Sequence, residues 1–361
     1  MTSPFSTRAG AVGDPPQHYG NPFSEQRALV EGGAGARAVV DLSDRDVVTV
    51  TGPDRLTWLD SLLSQSLAKL APGESAEALL LDPSGRIEYV ARVVDDGETT
   101  WLLMDAGTGA GLATFLDRMR FMLRVEVADV SSDYATIGTL GDPVAGIVTW
   151  SDPWAHVVAG GHQYSTVAEH PGSSWTYAET LVPRDRPDDS GGLDAFGDRE
   201  AAGILALEAL RIAAWRPRAA TELDGTAIPH EFDWIRSAVH LAKGCYRGQE
   251  TVAKVHNLGH PPRRLVMLHL DGSDNVAVVA GDEVLLGETV VGRVTSSGTH
   301  FELGPIALAV IKRSTDPAAT LTVTTSEGVV AAAQEIIVPT DAGAEADVPR
   351  LPRLGAVRRP A

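Results

Sequence analysis

Lys243-Gly244-Cys245-Tyr246-Arg247-Gly248-Gln249-Glu250 is the stretch from which the rest of the chain is best read. It holds the single cysteine of 361 residues, and Gly244 and Gly248 permit tight backbone geometry on either side of the thiol. Gln249 to His256 then reads as a short helix with Val252 and Val255 inward; Gly259 is placed to end it and Pro261 lies just beyond. Cys245 therefore falls just ahead of a helix N-terminus, between Lys243 and Arg247, and both features favour the thiolate. The plainer reading of the same residue is a small buried side chain. One cysteine forms no internal disulfide and cannot alone supply a four-thiolate zinc or iron–sulfur site. A reducing cytoplasm is the expected compartment.

Moving outward, residues 234–264 carry Arg236, Lys243, Arg247, Lys254, Arg263 and Arg264 against one acid, Glu250. That local surplus stands out in a chain with 48 acidic residues, 30 Lys plus Arg and a net charge of -18. An anionic partner explains it, and so does pairing with carboxylates elsewhere in the fold. The overall negative field argues against a general nucleic-acid or anionic-membrane coat. No run approaches the roughly 18 apolar residues of a membrane span, and the N-terminus lacks a basic-then-apolar signal pattern. His230, His240, His256 and His260 surround the cysteine. His256 and His260 have the i, i+4 spacing of a metal-binding pair, but Gly259 and Pro261 break the helix between them, so surface or capping roles are expected and no metal site. Gly107, Gly109 and Gly111 are spaced G-x-G-x-G, not as a dinucleotide fingerprint, and read as a strand-to-helix loop.

Composition is ordinary for a globular protein, with 43% hydrophobic and 22% charged residues, which excludes a wholly disordered chain. Residues 1–36 show scattered Pro, Gly, Ser and Gln without apolar period and read as a flexible leader. Val47–Val50 is a β-branched strand, and Leu56, Leu59, Leu62 and Leu63 mark a helix. Leu79–Leu81, the turn Asp82-Pro83-Ser84-Gly85 and Ile87–Val94 form a hairpin. A strand at Thr99–Met104 and a helix through Leu112, Phe115, Leu116 and Met119 follow, then strands near Val125–Val127 and Tyr134–Ile137. Strands and helices mix without regular alternation, so residues 37–261 read as an α+β region of two subdomains. Pro183–Asp198 reads as an exposed loop, with Asp198 placed to cap a helix through Ile204, Leu207 and Leu210. After Pro261-Pro262 come six short strands punctuated by Gly and Asp, which predict a small antiparallel barrel over 262–340, with 341–361 a loose tail.

Lys243-Gly244-Cys245-Tyr246-x-Gly248-Gln249-Glu250 resembles the defining motif of the YgfZ family, folate-binding relatives of the glycine-cleavage T protein, and Val255-His256-Asn257-Leu258-Gly259 is similar to that family's continuation. The resemblance covers most of residues 39–340. Val48-Thr49-Val50-Thr51-Gly52-Pro53-Asp54 looks like the superfamily's first strand and helix entry, Ala135–Pro143 its mid-domain strand, and Val291–Ser296 its barrel hairpin. It implies two α+β units and a terminal β-barrel around a central folate-sized hole. It also implies tetrahydrofolate as ligand and a role in iron–sulfur cluster assembly or repair that supports clients such as tRNA-modifying enzymes. Cys245 would be the working thiol, able to hold a cluster transiently. Arg211, Arg247 and Tyr89 are the candidates for folate contacts.

The departures bear on chemistry. Where T proteins carry Asp after a Gly-Gly-x-x turn, Gly85-Arg86-Ile87-Glu88 leads to Tyr89-Val90. Their Arg-x-Glu-Ala-Gly run stands as Arg211-Ile212-Ala213-Ala214-Trp215, and no clear counterpart of their Gly-Tyr-Thr-Gly-Glu segment, whose carboxylate holds the pterin, is found. A tetrahydrofolate-dependent aminomethyl-type transferase is the alternative function, disfavoured by the missing acid. Direct tRNA modification is weaker still, given the net charge.

Overall fold

The turn Asp82-Pro83-Ser84-Gly85 joins β3 (Ser75–Leu81) to β4 (Ile87–Asp95). Gly85 takes φ +79, and the Asp82 carboxylate accepts from the amides of Ser84 and Arg86, both at 2.8 Å. The computed structural model describes residues 4–31, 38–184 and 199–346. Among these, the strands form two five-stranded sheets and a closed six-stranded barrel. The first sheet has the order β3-β4-β5-β2-β6, with β2 at Asp46–Thr51, β5 at Thr99–Met104 and β6 at Glu126–Asp129. Helices α2 (Arg55–Leu62) and α3 (Gly109–Met119) cover one face, where Leu59, Leu63, Leu112 and Leu116 meet Val48, Val50, Ala91, Val93 and Leu102. The alternation along β4 sends Val90 and Val94 the other way, into the main core.

That core is shared with the second sheet, ordered β10-β1-β7-β9-β8. Its strands are β1 (Ala38–Asp41), β7 (Tyr134–Leu140), β8 (Thr149–Ser151), β9 (Tyr177–Pro183) and β10 (Glu200–Ala202). Trp150, Trp154, Trp215 and Trp234 are buried in this core beside α4 (Ile204–Ala213), which the single turn α5 (Ala219–Glu222) follows. Each fully buried aromatic of this size contributes about 2–3 kcal/mol.

The barrel runs β11-β14-β13-β12-β15-β16, every pair antiparallel. Its strands are β11 (Arg263–Leu270), β12 (Glu283–Leu286), β13 (Thr289–His300), β14 (Gly304–Lys312), β15 (Leu321–Thr324) and β16 (Val329–Ile336). Val266, Leu268, Val284, Val294 and Ala309 fill the interior, and closure leaves no free edge. The predicted α+β class and terminal barrel are what the chain adopts, and Val291–Ser296 lies in β13, paired to β12 and β14.

The leader is where expectation and structure part. Phe5 is 1% exposed and packs with Val39 and Ile137. Pro22–Val30 forms α1, whose first amides are capped by Asn21 Oδ1, accepting from Phe23 and Ser24 at 3.2 and 3.3 Å. Gln26 exchanges bonds with the Thr299 carbonyl and the Phe301 amide, both 2.9 Å, so this segment straps the body to the barrel. Its few apolar residues act singly at distant contacts, which leaves no period to read. Asp198 and the loop around it lie outside the described residues; α4 starts after Gly203, whose amide is held by Glu25 at 2.8 Å. Of the expected tail, the amides of Glu345 and Ala346 bind the carbonyls of His256 and Asn257.

Candidate functional site

The cysteine loop is built against the first sheet. Gly248, at φ +81, is the N-cap of α6 (Gln249–Leu258), and a Cβ there would lie 2.6 Å from the Asp82 carbonyl oxygen. A Cβ on Gly85 would meet Thr251 Cβ at 2.8 Å, so hairpin turn and helix start interlock through two glycines. Lys243 Nζ donates to the backbone oxygens of Asp60, Leu63 (2.8 Å) and Gln65 (2.7 Å) at the C-terminal end of α2. Tyr246 is buried beneath that ammonium, its ring centroid 5.4 Å away, and burial pushes its hydroxyl well up. Gln249 closes the turn through its amide to the Tyr246 carbonyl, and Glu250 stands exposed in the first turn of α6. Gly244 faces open space. Between these fixed points Cys245 is exposed.

One expectation about this loop changes, and one open alternative is narrowed. Lys243 is spent on carbonyls, and Arg247 pairs with Glu88 at 2.6 Å while lying over the Phe115 ring, so neither cation is committed to the sulfur. The basic surplus of residues 234–264 also resolves into internal partners. Arg236 is buried against His170, Arg263 binds Asp224 and Glu231 at 2.6 and 2.7 Å, and Arg264 binds Gln334 at 2.8 Å. Arg263 joins barrel to body, the others pair within one or the other, and Lys254 stands exposed.

His240 and His260 are half-buried, His240 Nδ1 accepting from the Ala242 amide at 3.2 Å, but the other two histidines depart from the surface or capping roles expected. His230 Nε2 contacts the Val252 carbonyl at 3.1 Å and burial pushes its pKa down to about 3. His256 Nδ1 lies 2.9 Å from the Tyr164 hydroxyl, turned inward where Val255 was expected. Among the described residues, no group of three or more His, Cys, Asp or Glu is arranged to hold a metal ion. The glycine-spaced loop before α3 has its helix start occupied by Asp46, which accepts from the Gly109 amide at 2.7 Å.

A second locus lies between the two sheets and α4: an internal cavity of about 30 Å³ lined by Arg45, Arg92, Trp175, Tyr177, Glu179, Glu208, Arg211 and Arg218 among others. Its walls are ion pairs. Arg45 binds Glu179, Arg92 binds Asp105 at 2.6 Å, Arg216 binds Asp152 at 2.8 Å and Glu77 at 2.7 Å. Arg211 binds Glu208 and Glu222 at 2.9 and 3.2 Å, and Arg218 closes on Glu208 at 2.9 Å. Burial alone would raise the Asp105 carboxyl, but Arg92, Arg45 and Arg218 outweigh it and hold it well below the usual carboxylate range. Three buried atoms of the lining stay uncommitted: Glu179 Oε2, Arg92 Nη1 and Arg218 Nε. An unpaired buried oxygen of this kind costs about 1–3 kcal/mol unless water or a ligand meets it.

Of the three expected folate contacts, Arg211 lines this cavity. Tyr89 does not; it lies on the helical face of β4, where a Cβ on Gly111 would approach its hydroxyl to 2.5 Å. Arg247 does not either, being held at the surface by Glu88. Glu179 is the residue that sequence reasoning missed. Trp175-Thr176-Tyr177-Ala178-Glu179 shares only its final glutamate with Gly-Tyr-Thr-Gly-Glu. Trp175 and Tyr177 stack at 5.2 Å and wall the cavity. At about 30 Å³ there is room for roughly two waters. The polar complement suits the amide edge of a pterin, but a pterin ring is several times this volume, so the cavity would have to widen to admit one.

Comparisons with known proteins agree with this architecture. Residues 263–338 match the family model of the glycine cleavage T-protein C-terminal barrel domain. The chain is 23% identical over 301 residues to a chloroplastic Arabidopsis thaliana protein provisionally named a transferase, a match covering 74% of this chain and 65% of that one, so just under two thirds of the relative's length is spanned. It is 26% identical over 326 residues to the aminomethyltransferase of Streptomyces coelicolor, covering 84% of each. The crystal structure of the glycine cleavage system aminomethyltransferase T from Bartonella henselae shares the fold, with a TM-score of 0.69 over 93% of this chain and 96% of that one at 17% identity. The overall fold and the barrel domain are thus like those of the glycine-cleavage T protein.

Proposed function

We propose that the chain is a YgfZ-type accessory protein of iron–sulfur cluster assembly or repair, with Cys245 as its working thiol and a reduced folate as ligand of the central cavity. The observation that carries this reading is the setting of Cys245. A rigid loop, anchored by Lys243 on three carbonyls and by Tyr246 in the core, presents an exposed thiol. A merely structural cysteine would be buried. A single exposed thiolate can ligate one iron of a cluster in transit, with the remaining ligands coming from a client or assembly protein.

The uncommitted atoms of Glu179 and Arg92 make these the residues that would hold a pterin, with Arg218, whose Nε is also unpaired, toward the acidic tail of a folate. A bound reduced folate supplies one-carbon carriage. The protein brings no acid to it from β4: Tyr89 faces the helices, Val90 is apolar, and Glu88 is paired at the surface. The second reading, an aminomethyl-type transferase, rests on the names of the relatives and on Glu179, and lacks that acid. In a strain deleted for the protein, Cys245→Ser should fold normally and fail to restore iron–sulfur enzyme activity. Full rescue refutes the thiol's role. Calorimetric titration with tetrahydrofolate should show heat that Glu179→Gln abolishes.

A further inference from the structure

We propose that the turn after α3, Phe121-Met122-Leu123 with the arginines around it, is a docking tip for a protein partner offering an apolar pocket rimmed by carboxylates. Phe121 is 82% exposed, Met122 96% and Leu123 42%, three consecutive large apolar side chains left in water. Nothing about the turn is loose. The Asp54 carboxylate accepts from the Arg124 amide, Nε and Nη2 at 2.9, 3.0 and 2.6 Å, and the Leu123 amide binds the Arg120 carbonyl at 2.9 Å. Gly52 passes so near that a Cβ on it would lie 2.1 Å from the Arg124 carbonyl oxygen. Phe121 itself is held at φ +46, a conformation an aromatic residue rarely takes without constraint. The tip is therefore pre-organised, and a partner loses little entropy in ordering it.

The identity of the occupant follows from composition and charge. Phe, Met and Arg are the residue types enriched where proteins meet. Arg118, Arg120 and Arg124 interleave the apolar residues in a chain of net charge -18. Arg120 and Arg124 are answered by Asp117 and Asp54, and Arg118 has no ion pair among the described residues, which leaves one unanswered cation beside the apolar side chains, with exposed Glu126 the next acid along the chain. An anionic bilayer is repelled by the rest of the chain, and two or three side chains bury too little area to hold it there. The tip also shares the α2–α3 face with the thiol: Asp54 precedes α2, Lys243 caps its far end, and Arg247 lies 5.5 Å over Phe115 of α3. A partner seated on the tip and reaching along α2, a helix of about 12 Å, would meet the loop that carries Cys245. The inference extends the role proposed for that thiol by naming the surface that holds its client.

The test places p-benzoylphenylalanine at position 121 of the full chain, with position 329 on the barrel, where Val329 is 62% exposed, as the control. Irradiation in cells should give a discrete protein adduct from 121 and not from 329. That protein, once purified, should bind the wild-type chain and lose at least about tenfold in affinity to the Phe121→Ser, Met122→Ser double variant. Its binding should weaken as salt rises. Cys245→Ser should bind as wild type does, so a failed docking surface and a failed thiol are told apart. The proposal is overturned by no adduct, by an adduct with a second copy of this chain, by co-sedimentation with phosphatidylglycerol vesicles that the double variant abolishes, or by a partner indifferent to that variant.

Discussion

Lys243→Met tests whether the lysine of the cysteine loop is a fastener, as its three carbonyl contacts suggest. Methionine keeps most of the stem's packing and removes the ammonium. The side chain is 3% exposed, so water does not replace the lost donor freely. Three carbonyl oxygens lose a charged donor at about 1–3 kcal/mol each. Relief from desolvating the ammonium, the same burial that depresses the lysine pKa, offsets part of this. A net loss of about 3 kcal/mol remains, or a melting temperature about 4 °C lower for a chain of this size. Urea denaturation measures the first figure and calorimetry the second. Hydrogen exchange should show the effect locally: amides at 55–66 and 243–249 exchange faster, while the barrel strands at 263–336 are unchanged. A loss under about 1 kcal/mol with unaltered exchange would refute the fastener and leave the loop held by Gly248 and Tyr246 alone.

Further outcomes follow from other sites. Burial, with Arg236 adding to it at His170, pushes His170 and His230 each down to about 3, while burial raises Asp233 to about 7. Between pH ~4 and ~6.5 the unfolded chain thus binds two more protons at the histidines and one fewer at the aspartate, so these groups make stability rise by about 1.4 kcal/mol per pH unit. Asp233→Asn, which suits the left-handed backbone at φ 58, should steepen that slope to about 2.7 in urea titrations at stepped pH. Gly248→Ala should cost about 2 kcal/mol or more, from its positive φ and the Asp82 carbonyl in the way, and unchanged stability would contradict the interlock of turn and helix. In an assay with glycine-cleavage partner proteins the wild-type chain should show no aminomethyl transfer, and turnover there would restore the transferase reading.

How much of this was legible in the sequence depends on whether a residue's partner is near it in the chain. The hairpin at Asp82–Gly85, the helix after Gly248 and the barrel strands are local: alternation, turn residues and glycine caps specify them within about ten positions. What could not be read is what pairs across the chain. Lys243 and Arg247 look like activators of a neighbouring thiol because sequence shows only neighbours; Asp60 and Glu88, roughly 180 and 160 positions away, are what they meet. The leader failed for the same reason, since Gln26 owes its order to residues 299 and 301.

Glu179 is the instructive case, because its identity was legible and its context was not. Only the glutamate of the five-residue segment stands here, after Trp175-Thr176-Tyr177-Ala178, and one residue does not make a motif. The structure displays what the sequence does not: a stacked Trp175–Tyr177 pair, five arginines within ion-pair reach of carboxylates, and one Glu179 oxygen left over. A carboxylate buried for stability alone would be expected to satisfy both oxygens, as Asp224 and Glu231 do with Arg263. The leftover oxygen is therefore the feature of the central cavity that stability does not account for, just as the exposed Cys245 is the feature of the loop that packing does not account for. Each is a small departure from an otherwise closed set of contacts, and those departures are where the chemistry of this chain is to be sought.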